Sequence, residues 1–346
     1  MRRITVLIFL IWSIVLPAAA LEIQAPAVPE SGKLWMPEAE NSFGEGLMEL
    51  LSKALSHLMP ELKKAASISA KILSIVLLIS ILQSMTGSVK SVCAIVETVG
   101  ISAVMVGHTG TLLTLGMDTV LEITDYGKLL LPVMAASLAA QGGITASTAL
   151  YTGTAVFNAV LSSAITSVMM PGIRLYLVVS MVSSVSGEEF LKRIADFLKS
   201  SCAWIMKTMM MVFTTYLGIT GVVSGTTDAA ALKAAKVTIS TVVPVVGSVL
   251  SDASEAVLVG AGIIKNAAGI YGILAVLAVF ADPFLRLLAH WVVLKLTGAI
   301  CAIFGSKSAT SLIDAFSTSM GFLLAVTGGC CLMVLVSTVC FMRSVQ

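Results

Sequence analysis

The sequence predicts an all-α fold: a polytopic membrane helical bundle with an internal two-fold repeat of broken or re-entrant helices, and with amphipathic helices at its interfaces. Three observations predict it. Hydrophobic residues make up 57% of the chain and charged residues 12%, with mean hydropathy +1.00, a balance far from that of an ordinary soluble domain. Apolar segments follow one another along most of the chain, each cut short by a small polar break. Prolines recur inside them at matched spacing.

The first element has the form of a secretory signal over residues 1–20. Arg2 and Arg3 precede an apolar run at 4–15, and Pro17 leads into Ala18, Ala19 and Ala20, a small-residue cleavage site. Cleavage after Ala20 is the expectation; the other reading is an uncleaved anchor, for which the run falls short of the roughly 20 apolar residues of a span. Residues 21–66 then form an extracytoplasmic linker and an amphipathic helix. The linker carries Pro26, Pro29 and Pro37 with Glu22, Glu30, Glu38 and Glu40 and has no sustained period. From Leu47 onward Leu50, Leu51, Ala54, Leu55, Leu58 and Leu62 recur at three- and four-residue steps, with Glu49, Lys53, His57 and Glu61 opposite. This helix is expected to lie on the membrane and to bend at Pro60.

Residues 67–117 hold two full-length spans, near 70–85 and 92–115, with Lys90 in the turn between them on the inner side. A loop carrying Asp118, Glu122, Asp125 and Lys128 is expected next. The apolar pieces at 129–140 and 155–170 are separated by Gln141-Gly142-Gly143 and a Ser/Thr-rich patch, and neither is a comfortable single span. A broken or re-entrant pair is predicted, because irregular backbone at membrane depth survives only when buried in protein or lining a wet cavity. After Pro171 and a further span, Ser186-Gly187-Glu188-Glu189 fits a capping box. The helix it starts puts Phe190, Leu191, Ile194, Phe197 and Leu198 on one face and Lys192, Arg193, Asp196 and Lys199 on the other.

The repeat is carried by the prolines. Pro132 and Pro171 are 39 residues apart, as are Pro244 and Pro283, and the two pairs are offset by 112. Pro171-Gly172-Ile173-Arg174-Leu175 answers Pro283-Phe284-Leu285-Arg286-Leu287. Residues 118–225 and 226–346 are therefore taken as two membrane repeats, with Pro132, Gly142, Gly143, Pro171, Pro244 and Pro283 as candidate hinges. The crossing count lies between about six and nine under the ~20-residue criterion.

Polar groups in apolar surroundings are the candidate functional residues, since they usually face a bundle interior or a wet cavity. Asp252, Glu255, Lys265 and Asn266, flanked by Gly247, Gly260, Gly262 and Gly269, form a candidate polar lining or gate; an interfacial loop is the alternative. Asp282 and Arg286 form a candidate helix ion pair, with His290 one step further on the same face. Structural pairing near a helix end and a proton relay both fit that pattern. Glu97 and His108 are lone signals. The six cysteines show no C-x-x-C spacing and suit apolar packing. A formal net charge of +2 without a basic-aromatic patch gives no basis for nucleic-acid binding. No nucleotide-binding, zinc-protease or Ser/His/Asp pattern appears, so no enzyme activity, catalytic residue, metal or cofactor is expected.

One stretch carries a family resemblance. Asp228, Lys233 and Lys236, then Val243-Pro244 and Gly247, Ser251-Asp252 and Ser254-Glu255, and Leu258 through Lys265-Asn266 to Gly269 resemble the stage III sporulation protein AE family of endospore-forming Firmicutes. The signal, the outer amphipathic region, the Gln141-Gly142-Gly143 break and the order of spans are similar as well, over residues 43–346. The resemblance implies a multi-pass protein of the mother-cell membrane around the forespore. It would belong to the channel complex joining the two compartments and be needed for late forespore development. Implied partners are the other stage III A-operon proteins, including an ATPase and ring-forming members, and stage II sporulation protein Q; homo-oligomerisation stays open. A self-sufficient secondary transporter and a non-conducting scaffold are the alternatives to a permease-like channel component.

Overall fold

The computed structural model describes residues 25–37, 43–85, 90–141, 143–242, 247–304 and 307–343, with side chains described at all of these except 90–91, 216–242, 247–266 and 343. Among the described residues the regular structure is helical throughout. A single turn, α1 (Glu30–Lys33), precedes α2 (Phe43–Met85), α3 (Lys90–Ala140) and α4 (Ile144–Ala164). A π-helical turn, Ile165–Met169, joins α4 to α5 (Met170–Ser186), and α6 (Glu189–Val242), α7 (Gly247–Phe304) and α8 (Lys307–Arg343) complete the order. Five helical stretches among the described residues are long and apolar enough to cross a membrane: Phe43–Met85, Val92–Ala140, Ile144–Ser186, Ala267–Phe304 and Lys307–Met342. At 1.5 Å per residue the 43-residue α2 is about 65 Å long, roughly twice the ~30 Å hydrocarbon thickness.

Small residues set the packing. Gly269 lies under Met342 and Gly321 beside Trp291, so α7 and α8 run antiparallel. Leu130 sits over Gly272, which makes α3 antiparallel to α7, while Leu323 over Gly116 and Val334 over Gly127 make α3 parallel to α8. These close approaches are the membrane-helix pattern of small residues admitting a neighbour's side chain. The result is a core centred on α7 and α8, whose apolar windows are 61% and 56% buried, with α2 at the periphery at 22%. Met134, Leu138, Ile313, Phe316, Met320 and Leu323 are among its buried side chains.

Helix breaks differ in kind. The Gln141–Gly143 break is present: α3 ends at Ala140, Gly143 caps α4, and the Gln141 and Gly143 amides both bond back to the Leu138 carbonyl. Gly187 takes a left-handed conformation (φ 70°) and closes α5, and the Glu188 amide donates to Ser186 Oγ before α6 begins. The Pro171 position is accommodated without a break. Proline lacks an N–H and its ring crowds the carbonyl four residues back, and the π-helical turn just before it opens the backbone there.

Other expected breaks are continuous helix. The acidic stretch expected as a loop lies within α3, with Thr119, Val120, Ile123, Thr124 and Tyr126 buried and Asp118, Asp125 and Lys128 exposed. Its three- and four-residue spacing of apolar groups is a helix signal that outweighs the charges. The 129–140 piece is the end of that same helix and not a separate segment. The Ser251–Glu255 stretch is helical in its backbone too, in keeping with a run of Ser, Asp, Ala and Glu that contains neither Gly nor Pro. The two prospective copies therefore differ, one interrupted at 141–143 and the other continuous there, although Pro171 and Pro283 each lead a helical arm into a further long helix.

Residues 25–37 of the linker dock against the helices. Val28 and Trp35 are buried, Gly32 sits against Val28 and Val279 of α7, and Ser31 Oγ hydrogen-bonds Glu122 of α3. Trp35 packs on the His57 ring of α2 with centroids 4.9 Å apart.

A Cβ at Gly272 would meet the Leu130 methyl groups at 2.6 and 2.8 Å. Gly272→Leu is expected to lose roughly 1–3 kcal/mol of stability by overpacking. Gly107→Ala, where nothing lies within 4 Å, should gain roughly 0.5–1 kcal/mol from helix propensity. Thermal unfolding of the detergent-solubilised protein checks both, and equal behaviour of the two variants would contradict the α3–α7 packing.

Candidate functional site: a polar seam between α2, α3 and α7

The antiparallel register of α3 and α7 and the course of α2 beside α7 bring ionisable groups from three helices to one seam. On α7, Asp282, Arg286 and His290 share a face by four-residue spacing. Arg286 Nε lies 3.0 Å from Asp282 Oδ2. His290 is buried, and its Nδ1 lies 2.7 Å from the Arg286 carbonyl oxygen. A carbonyl only accepts, so Nδ1 carries the proton and donates, which leaves Nε2 of neutral His290 as a bare acceptor.

His108 of α3 meets that ring, with centroids 4.5 Å apart and planes tilted by 40°. Nε2 of each imidazole is buried without a hydrogen-bond partner. From α2, Glu61 is buried and holds Lys64 Nζ at 2.6 Å, and its carboxylate lies within electrostatic reach of both imidazoles. The seam thus contains two internally neutral ion pairs and two imidazoles whose Nε2 has no hydrogen-bond partner. Such groups are rare and costly in apolar surroundings and mark functional positions by default.

The structure brings Asp282 and Arg286 together and adds His290 on their face. Asp252, Glu255, Lys265 and Asn266 fall on the α7 backbone, but their side chains lie outside the described residues. Pro244 and Gly142 lie outside them altogether. Pro132 is exposed within α3, Pro283 is buried within α7, Gly143 is the α4 cap and Pro171 opens α5. Glu97, with Thr98, is buried on α3 toward Cys301 at the end of α7, far along the helix from His108.

Sequence reasoning missed Glu61 and the pairing of His108 with His290. Glu61 looked like part of the polar face of a surface helix, and His108 has no ionisable neighbour three or four residues away. The usable signal was that two of the chain's three histidines fall within apolar helices. Among the described residues no group of three or more His, Cys, Asp or Glu is placed to hold a metal ion.

Comparison with known proteins bears on what such a seam serves. The family model described as stage III sporulation protein AE matches residues 35–344. The chain belongs to that family. Stage III sporulation protein AE of Bacillus subtilis (strain 168) is 23% identical over 208 residues, covering 60% of this chain and 52% of that protein; the matched stretch thus spans about half the length of that relative. No solved structure matches.

Replacing His290 by an apolar residue of similar size removes its orphaned Nε2 and its Nδ1 bond to the Arg286 carbonyl, an acceptor that keeps its backbone partner within the helix, so the two effects nearly offset. His290→Leu is therefore expected to keep stability within about 1 kcal/mol. Arg286→Leu, which strands the partly exposed Asp282 carboxylate, should cost about 1 kcal/mol. Thermal unfolding in detergent at neutral pH measures both; a large loss in His290→Leu would make that imidazole a structural element.

Proposed function

We propose that this chain is the permease-like integral membrane component of the channel complex that links mother cell and engulfed forespore. It sits in the mother-cell membrane around the forespore and is required for late forespore development. Membership of the stage III sporulation protein AE family and five apolar helices support a sporulation membrane component. The observation that carries the permease-like reading is the seam of buried Glu61 and His290 with half-buried His108 and Arg286, because a passive anchor has no use for ionisable groups inside its helix packing.

In this reading the long helices form the membrane platform, and the break at Gln141–Gly143 and the proline-led arms supply re-entrant or hinged pieces related by the internal repeat. The polar stretch at 252–266 lines or gates the path. The partners are the other stage III A-operon proteins, including the ATPase and the ring-forming members, with stage II sporulation protein Q across the intermembrane space. No enzymatic step is assigned to the chain. A self-sufficient secondary transporter is the second reading, favoured by the same ionisable seam between helices.

Two experiments test this. Single cysteines placed across 252–266, in a variant lacking the six native cysteines, should react with a membrane-impermeant thiol reagent in sporulating cells and lose that reactivity when the partner proteins are present. Labelling that ignores the partners would remove the gate. Glu61→Gln with His290→Gln should cut spore formation at least tenfold while leaving membrane localisation intact. Normal sporulation from that double variant, together with loss in Leu191→Glu, would favour a scaffold, and substrate uptake by the chain alone in vesicles would favour the transporter.

A further inference from the structure

We propose that His108 and His290 form a single-proton binding site that joins α3 to α7. The inference does not depend on whether the chain conducts. It rests on three observations: the ring centroids are 4.5 Å apart, Nε2 of each ring is buried with no partner, and Nδ1 of His290 is already committed to the Arg286 carbonyl at 2.7 Å.

The commitment of Nδ1 fixes the chemistry. Neutral His290 offers a lone pair at Nε2, and a buried acceptor with no donor is a cost that a proton removes. The proton comes from hydronium, which leaves a water molecule, and bonds to the Nε2 lone pair of one imidazole. In the structure the two Nε2 atoms are not bonded to each other; on protonation the rings turn from their present contact so that the new N–H donates to Nε2 of the other ring, a charge-assisted bond stronger than any the neutral pair can make. A second proton would place two cations against each other and break the hydrogen bond, so the pair holds one proton and titrates as a unit.

The surroundings suit a single added charge. Glu61 and Lys64 face the pair from α2, with the buried carboxylate closer to neutralising an imidazolium than the largely exposed ammonium is to opposing it. Asp282 and Arg286 lie on α7 beside His290 and cancel each other. Lys295 of α7 is engaged by Asp314 of α8 at 2.7 Å. No other charged side chain from α3 is placed at the pair among the described residues. Because the two imidazoles belong to different helices, proton uptake ties α3 to α7, and release unties them.

The chain has three histidines, which makes the test direct. The full-length protein, labelled with 15N at histidine and held in detergent micelles, is titrated from about pH 4 to 9 while the ring nitrogens are followed. The expected result is that the His108 and His290 signals move together and share a nitrogen–nitrogen scalar coupling in the wild type. In His108→Gln the His290 midpoint should move by roughly one pH unit, and Glu61→Gln should move the midpoints of both rings. An unchanged His290 midpoint in His108→Gln, or wild-type rings that titrate independently with no mutual coupling, would overturn the proposal. The wild-type measurement decides the matter even where a variant fails to fold.

Discussion

A peptide group that leaves a helix inside an apolar bundle gives up a hydrogen bond that nothing nearby can replace, and this constraint shapes the whole molecule. An unsatisfied group in hydrocarbon costs several kcal/mol, more than the weak preference of any one side chain for a loop. Helices therefore run on through polar stretches. α3 carries Asp118, Glu122, Asp125 and Lys128 without interruption, and α7 passes through both Ser251–Glu255 and Pro283. Where an interruption does occur it is satisfied locally, as at Gly143, whose amide reaches the Leu138 carbonyl, or widened into a π-helical turn, as before Pro171.

Long helices bring a second requirement. Without a hydrophobic drive to separate them from lipid, they must gain contact by close approach. The glycines serve this in register: Gly116 and Gly127 on α3 receive Leu323 and Val334 of α8, while Gly269 and Gly272 on α7 receive Met342 and Leu130. The register fixed by those contacts is what sets His108 opposite His290. The seam is thus a consequence of packing elsewhere in the bundle.

Legibility in the sequence followed range. The apolar composition, the helical class and the Gln141–Gly143 break rest on local pattern, and local pattern was enough to see them; at 186–189 a new helix does start, but Ser186 ends α5 and Gly187 caps it, so the Ser is not the N-cap of a capping box. The Asp282–Arg286 pair was legible because four-residue spacing alone aligns the two side chains. The acidic part of α3 was misread because charge was weighed above the buried three- and four-residue period of Thr119, Ile123 and Tyr126. The docking of Val28 and Trp35 was invisible, since two apolar residues in a proline-rich linker carry no period. His108 and His290 are separated by most of the chain, and no local rule relates them; only the antiparallel α3–α7 register does.

The charges of the seam are paired within single helices: Glu61 with Lys64 on α2, Asp282 with Arg286 on α7. Pairing at three- or four-residue spacing lowers the cost of burial without tying one helix to another. The contact that does cross between helices is made by the two groups left neutral and unsatisfied. A bundle built only for stability would fill that place with apolar side chains, which pack at least as well and leave no orphaned nitrogen. The retained imidazoles are therefore best understood as a link whose strength varies with its protonation, placed where α2, α3 and α7 converge and where a change in one contact is felt by three helices.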